Sequence, residues 1–163
     1  MAVLPIRTFP DPVLKKKSRK VSTLDGSVKK LIADLLETVH AAPGRAGLAA
    51  PQVGVSLRVA VISVPEGKDT VLVNPVLVRR SGERLIDEGC LSVPGYYGYV
   101  KRAESVTVKG LNARGKEVRI KADGLLAQAL EHEIDHLNGI LYLDHLEGMD
   151  KLHKVEPVET EIK

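Results

Sequence analysis

Two histidines four residues apart, His132 and His136, form the first pattern in the chain that could do chemistry. Residues at this spacing lie on one face of a helix, so both imidazoles can reach a single metal ion. Glu133 follows the first histidine directly and would lie beside that ion as a general base. The pattern predicts a catalytic metal site, although a helix that carries two histidines by chance would contain the same letters.

The flanking residues predict the helix that must position these side chains. Asp123 can cap its start and Gly139 can end it in a left-handed conformation. The residues between them are mostly apolar, namely Leu125, Leu126, Ala129, Leu130, Ile134 and Leu137. A helix with so few polar residues is expected to be buried, and a buried His–Glu–His cluster without a metal would be costly.

A catalytic site of this kind needs a third protein ligand and leaves one coordination position free. Tyr142 occupies the place where metzincins have their third histidine, which excludes that class. Glu156 has about the separation of the third ligand in a gluzincin-like protease, but it lies beside Pro157 in a polar tail. Cys90 is the remaining candidate, because a thiolate is a strong ligand for zinc or ferrous iron. The alternative for this cysteine is a small apolar residue of the core.

Periodicity predicts the elements around the site. An amphipathic helix is expected over residues 27–40 and strands over 57–64 and 70–80, with Asn74–Pro75 indicating an edge or a break. Alternating residues over 104–111 and 116–122 predict a hairpin that leads into the helix with the two histidines. We therefore predict an α+β fold, with mostly antiparallel sheets around that buried central helix and the amphipathic helix outside them.

Length and composition limit the remaining classes. A chain of 163 residues predicts one catalytic domain over 1–163, with a loosely ordered tail over 148–163. A net charge of +3 is too small to indicate sequence-specific nucleic-acid binding. One cysteine excludes an internal disulfide and a Cys-rich zinc module. No apolar run has the length of a membrane span, so we expect a cytoplasmic protein without a membrane partner.

Three stretches together resemble the signature motifs of the peptide deformylase family in order and spacing. They are GLAAPQ at 47–52, EGCLS at 88–92 and HEIDH at 132–136, and the start LPIRTFPDPVL is similar to the family's N-terminal arm. Two features depart from the family. Arg45 replaces the glycine that usually opens the first motif, and the tail lacks the basic excess of the helix with which some bacterial members dock on the ribosome.

The resemblance implies an enzyme that removes the formyl group from the initiator methionine of new polypeptides and releases formate. It implies one divalent ion, Fe(II) in the cell with Zn(II), Ni(II) or Co(II) as alternatives, and three ligands: Cys90, His132 and His136. Glu133 would act as the general base, while the Gln52 amide and the Leu91 backbone N–H would bind the developing oxyanion. Weak ribosome association is the only further partner expected.

Substrate contacts follow from position on the same elements. Leu125, Gln128 and Ala129 share the helix face of His132 and are expected to form the methionine pocket. The backbone of Gly47 and Leu48 would bind the peptide as a β-strand. Arg102 and Asp135 are expected to pair behind the ligands, with plain structural pairing as the alternative. A metallopeptidase and a non-catalytic relative remain open as other classes.

Overall fold

The computed structural model describes residues 2–65, 67–146, 148 and 151–155. Two helices, α1 (Gly26–Val39) and α2 (Gly124–Leu137), combine with two antiparallel sheets in an α+β fold, which confirms the predicted class. The five-stranded sheet has the order β1-β2-β3-β6-β7 and the three-stranded sheet the order β4-β5-β8. The strands are β1 (Gly47–Ala49), β2 (Val59–Ile62), β3 (Thr70–Ser81), β4 (Arg84–Cys90), β5 (Val93–Arg102), β6 (Ser105–Leu111), β7 (Glu117–Asp123) and β8 (His153–Lys154).

Strand β2 is buried on both faces, because it lies between the two helices. Val59 and Val61 belong to the apolar cluster that contains the buried side of α1, including Leu35. Ile62 belongs to the cluster that contains Leu130 of α2. Since successive side chains of a strand point to opposite faces, α1 and α2 cover opposite faces of the sheet at β2.

Strand β3 lies between β2 and β6. Of the two alternatives predicted from Asn74–Pro75, an edge or a break, the edge is therefore wrong. The expected break is present, because the register with β6 shifts between Val73 and Val76. Asn74 takes a positive φ of 53° at this bulge. Its amide is bonded to both the N–H and the carbonyl of Val21, which attaches the N-terminal arm to the strand.

The N-terminal arm, residues 2–24, follows an irregular path across the elements that carry the three motifs. The N–H of Arg7 donates to the Gln52 carbonyl (2.6 Å) and that of Phe9 to the Ser92 carbonyl (2.8 Å). Further along, the N–H of Ser18 donates to the carbonyl of Leu137 at the end of α2. The arm thus contacts all three motif regions at their backbone.

The ends of α2 differ partly from the expected caps. Asp123 occupies the N-cap position, but its side chain makes no capping hydrogen bond, which corrects the role assigned to it. Gly139 has the expected left-handed conformation, with φ of 77°. A Cβ there would lie 2.6 Å from the carbonyl oxygen of Lys15, so this glycine also permits the close approach of the arm.

The end of the chain contributes one short strand. His153 and Lys154 in β8 pair with Tyr97 and Tyr96 of β5. Residues 156–163, which include Glu156 and Pro157, lie outside the described residues, so the role of Glu156 and the order of this tail stay predictions. None of the helices in the described ranges is both long and apolar enough to cross a membrane.

Candidate metal centre and active site

Three potential metal ligands converge where the end of β4 meets α2. The Cys90 Sγ lies 3.2 Å from the His136 Nε2, which lies 3.1 Å from the His132 Nε2. The ligand atoms of these three residues all lie within 4.8 Å of one another. Of the described residues, they form the one group of three that could hold an ion in this way.

The donor set of this cluster fits a divalent transition metal. One thiol and two imidazole nitrogens are ligands that zinc and ferrous iron accept, and three protein ligands leave room for a further one. The pKa values of the two histidines shift in opposite directions. Burial lowers the pKa of His136 well below its usual value. Burial would also lower the pKa of His132, but hydrogen bonds to Cys90 and Glu88 raise it well above its usual value.

Glu133 lies beside this cluster on the first turn after His132. It is only 4% exposed, and its buried Oε1 has no hydrogen-bond partner among the described residues. Burial raises the pKa of Glu133 to about 7, where a carboxyl group can both accept and donate a proton. A Cβ on Gly47 would lie 2.7 Å from its Oε2, so the glycine at this position of β1 makes room for the carboxylate.

Glu88 is a site residue to which the sequence analysis gave no role. Its Oε2 lies 2.5 Å from the His132 Nδ1, so it fixes the orientation of the imidazole. Burial would raise the pKa of Glu88, but the bonds from His132 and Arg102 lower it to about 2. Strand alternation could have indicated it, because Glu88 and Cys90 are two residues apart and share a strand face.

Arg102 and Asp135 form the pair that the sequence predicts. Arg102 is 2% exposed, and its Nη1 donates to the Asp135 Oδ2 at 2.7 Å. The same guanidinium donates to both carboxylate oxygens of Glu88, through Nε at 2.9 Å and Nη2 at 2.5 Å. Glu88 therefore bridges Arg102 and the potential ligand His132.

Gln52 reaches the cluster from the short 3-10 helix Ala50–Val53. Its Nε2 donates to the Ser92 Oγ at 3.2 Å and lies 3.6 Å from the Cys90 Sγ. Its Oε1 accepts from the Ala49 N–H at 3.0 Å, which fixes which end of the amide faces the cysteine. Ser92 was also missed at the sequence level, and no local pattern distinguishes it from other serines in turns.

A cavity of about 650 Å³ opens in front of these residues. Its lining includes Gly47, Leu91, Leu125, Gln128 and Ala129, which were all assigned to the site from sequence, together with Gln52, Cys90, His132 and Glu133. Leu48 differs from these residues. Its side chain is fully buried in the core with α1, and it is not part of the lining.

Arg45 also borders the cavity. Its guanidinium donates to the carbonyl of Thr38 at 2.6 Å, near the end of α1. Gly44, one residue earlier, takes a positive φ of 84°. Gly44 and Arg45 therefore belong to the connection from α1 to β1.

A cysteine and two histidines that converge beside a buried carboxylate, at the base of an open cavity, define the class of metal-dependent hydrolases. Comparison with known proteins narrows this class to one family. The family described as Polypeptide deformylase matches residues 3–152. A peptide deformylase of Dehalococcoides mccartyi is 56% identical over 158 residues, which cover 96% of this chain and 94% of that protein. One of Halothermothrix orenii is 52% identical over 145 residues, 88% of this chain and 94% of that protein.

Solved structures agree with the sequence relatives. The crystal structure of a peptide deformylase from Legionella pneumophila has a TM-score of 0.88 and 47% identity, covering 92% of this chain and 89% of that one. The crystal structure of the Ehrlichia chaffeensis enzyme in complex with actinonin has a TM-score of 0.89 and 43% identity. The match covers 93% of this chain and 92% of that one. The chain belongs to the peptide deformylase family. It is a metal-dependent hydrolase that removes the N-formyl group from the initiator methionine of newly made polypeptides and releases formate.

Proposed function

We propose that Cys90, His132 and His136 hold the divalent ion of this deformylase and that Glu133 transfers the proton during formyl hydrolysis. The observation that carries the proposal is the convergence of the three ligand atoms within 4.8 Å of one another, beside a buried carboxylate. The ion, when bound, lowers the pKa of water and polarises the formyl oxygen. Residues of the chain transfer the proton, stabilise the developing charge and bind the substrate.

Glu133 accepts a proton from the attacking water and then donates it to the leaving amine nitrogen. Its pKa of about 7 suits both steps, since a carboxyl group poised near neutral pH exchanges a proton readily in either direction. Its partnerless buried Oε1 supports this role, because an unpaired carboxylate oxygen in a dry site is costly unless a reacting molecule bonds to it.

Gln52 and the Leu91 backbone N–H stabilise negative charge on the formyl oxygen. Both residues border the cavity next to Cys90. The Gln52 Nε2 is held in place before substrate arrives, so its dipole needs no rearrangement when charge develops.

The peptide binds along the edge of the five-stranded sheet at β1, where the backbone of Gly47 pairs with the substrate. This role suits Gly47 because β1 is an edge strand and alternate residues of an edge strand direct their backbone groups away from the sheet. Leu48 was expected to share this role, but its side chain lies in the core and its backbone groups face β2, because the Ser63 N–H donates to the Ala46 carbonyl and hydrogen-bonded pairs alternate along the strand. The methionine side chain lies against Leu125, Gln128 and Ala129, which border the cavity on α2.

Fe(II) is the ion that we assign to the cell, with Zn(II), Ni(II) and Co(II) as functional substitutes. Thiolate and imidazole ligands accept all four, and the intrinsic affinity order does not decide which ion is loaded in the cell. Elemental analysis after anaerobic purification tests the assignment. Zinc in place of iron under those conditions would contradict it.

We further propose that the whole chain acts as one catalytic unit in the cytoplasm, where nascent chains are made. Any association with ribosomes is expected to be weak, because the tail over 150–163 has three lysines, Lys151, Lys154 and Lys163, against four acidic residues. Co-sedimentation with ribosomes at low and moderate salt tests this. Binding that survives moderate salt would contradict it, since a few charges give only salt-sensitive attachment.

Formate release from formyl-Met peptides is the assay that tests these roles, with unformylated peptides as the blank. Glu133→Gln should lower kcat by about 10²–10⁴-fold with unchanged metal content, since it removes general acid–base catalysis and no ligand. Glu131→Gln is the matched control. Glu131 is another buried acid of α2, but it bonds to the Ala103 N–H and Arg80, away from the cluster. An active Glu133→Gln enzyme would assign the proton transfer to another group.

A further inference from the structure

A continuous line of hydrogen-bonded side chains connects the candidate metal centre to the surface. It begins with His132 and Glu88, continues through Arg102 to Asp135, and ends at His145. The His145 Nε2 lies 2.8 Å from the Asp135 Oδ2, the same oxygen that accepts from Arg102. A carboxylate oxygen only accepts hydrogen bonds, so the Nε2 of His145 is the donor.

Exposure increases steadily along this line. The side chains of Arg102, Asp135 and His145 are 2%, 19% and 37% exposed. Water can therefore compete for Asp135 but not for Arg102. Asp135 therefore needs a partner where the line reaches solvent, and His145 is that partner.

The turn that carries His145 is itself fixed. His145 ends the 3-10 helix Tyr142–His145. The Asp144 Oδ2 accepts from the Leu141 N–H at 2.9 Å and from the Lys15 Nζ at 2.5 Å, which ties this helix to the N-terminal arm. His145 thus has a rigid base from which to restrain Asp135.

We propose that His145 is a positioning residue for the metal centre. It restrains Asp135, which holds the Arg102 guanidinium, which in turn holds the Glu88 carboxylate against the Nδ1 of His132. Because the partner of a ligating histidine sets the orientation of its ring, this restraint tightens the hold of His132 on a divalent cation. The inference rests on the proposed ligand role of His132.

The test compares two variants of His145 in the full-length protein loaded with Co(II). In His145→Ala the hydrogen bond is lost, whereas in His145→Gln an amide N–H can replace the Nε2–H. Removing the direct partner of a ligand costs about 10–100-fold in affinity, so removing a more distant one should accelerate Co(II) release to a chelator by about 3–10-fold. His145→Gln should release Co(II) within about twofold of the unmodified protein, because it keeps the donor.

His40→Ala is the matched control. The His40 Nε2 contacts the Asp69 Oδ2 at 2.7 Å, a second exposed His–Asp pair that is separate from the line. Its Co(II) release rate and visible Co(II) absorption should match those of the unmodified protein. In His145→Ala the absorption bands should shift and in His145→Gln they should return, which a loss of general stability would not produce.

Two results would overturn the proposal: Co(II) release from His145→Ala at the unmodified rate, or equal acceleration in the alanine and glutamine variants. Failure of the ligand assignment would look different. In that case the unmodified protein would not bind one Co(II) per chain, or Cys90→Ser would bind it equally well.

Discussion

Gln52 shows how a single side chain can be prepared for its role before substrate binds. Both ends of its amide have partners inside the protein: Ala49 on the oxygen side, and Ser92 and Cys90 on the nitrogen side. It is only 1% exposed. The bond to Ser92 fixes the amide, while the contact with Cys90 is long at 3.6 Å, so that N–H can turn to a developing charge with little reorientation.

Gln52→Ala should therefore lower kcat by about 10²–10³-fold while KM changes much less, as expected when one oxyanion donor is removed. Steady-state kinetics with a formyl-Met peptide measure both constants. Gln128→Ala is the useful contrast. Gln128 also borders the cavity but donates to the Asp87 carbonyl and Glu88, so its loss should appear mainly in KM. Equal loss of kcat in both variants would remove Gln52 from the oxyanion role.

Residues within one helix were predictable from spacing, whereas contacts between elements were not. His132, Glu133 and His136 follow from the helical repeat alone. Cys90 required elimination of other ligands and the resemblance of the motifs. Alternation could place Glu88 on the strand face of Cys90, but its contact with His132 exists only because β4 lies against α2, and no local period reports a contact between residues 44 apart in sequence.

At the scale of elements, the approach of β1 to α2 depends on a missing side chain. A Cβ on Gly47 would lie 2.7 Å from the Glu133 Oε2 and 3.1 Å from the Val61 carbonyl oxygen. The backbone of β1 is held by pairing with β2, so the carboxylate is the group that has to move. The glycine thus sets the distance between the peptide-binding edge and the proposed base.

Gly47→Ala should displace Glu133 and lower kcat by about 10²-fold, a typical effect of moving a catalytic group by about 1 Å. The thermal melting temperature should fall only modestly, since the closest contact is the end of one side chain and the Val61 carbonyl has to give by only a few tenths of an ångström. Gly26→Ala is the control, because a Cβ at the start of α1 meets nothing within 4 Å. A fully active Gly47→Ala enzyme would show that the carboxylate position is not critical.

The beginning of the N-terminal arm is hydrogen-bonded to Asp34 of α1. Asp34 accepts from the Ala2 N–H at 2.8 Å and from the Lys30 Nζ at 2.9 Å. The Lys30 bond is the largest influence that lowers the pKa of Asp34 below its ordinary value of 3.8. A lowered folded-state pKa stabilises the protein above the ordinary pKa, and this contribution disappears as the pH falls through the lowered value.

Asp34→Asn should consequently melt at a lower temperature than the unmodified protein at pH 7. The difference should narrow below about pH 4 as the carboxylate of the unmodified protein becomes protonated. Thermal melts between pH 2 and pH 7 measure this. Glu37→Gln, at an exposed acid of the same helix, should show no such trend. A pH-independent difference for Asp34→Asn would mean that its charge is not the stabilising feature.

The elements with a strong local period were the predictable ones. Apolar spacing indicated a helix over 27–40, and α1 spans Gly26–Val39; strict alternation indicated the strands that became β6 and β7. The division into two sheets was not predictable. β4 follows β3 directly in the chain, yet it pairs with β5 in the second sheet, and only long-range pairing decides this.

At the scale of the whole molecule, the metal centre joins two parts of the fold. Cys90 belongs to β4 of the three-stranded sheet, whereas both histidines lie on α2, which packs on the five-stranded sheet. An ion bound by all three residues would therefore connect the two sheets and stabilise the folded state by mass action.

Metal removal should lower the melting temperature as well as abolish formate release. When the free ion concentration is 100 times the dissociation constant, binding adds about 2.7 kcal/mol to the free energy of unfolding. Chelation would remove this contribution. Differential scanning calorimetry of the chelated and reloaded protein measures the change. In Cys90→Ser, added Zn(II) should raise the melting temperature much less. An identical Zn(II) effect in that variant would contradict the thiolate assignment.

The path of the N-terminal arm has a consequence for the timing of biosynthesis. Its backbone partners, Gln52, Ser92 and Leu137, are translated progressively later than the arm, so the arm can complete these contacts only after α2 has been made. Folding that depends on such distant pairing is slow and is completed late. A chain whose synthesis stops before α2 would lack His132 and His136. It would also lack the Leu137 carbonyl that binds the arm, and it would have no activity toward other nascent chains.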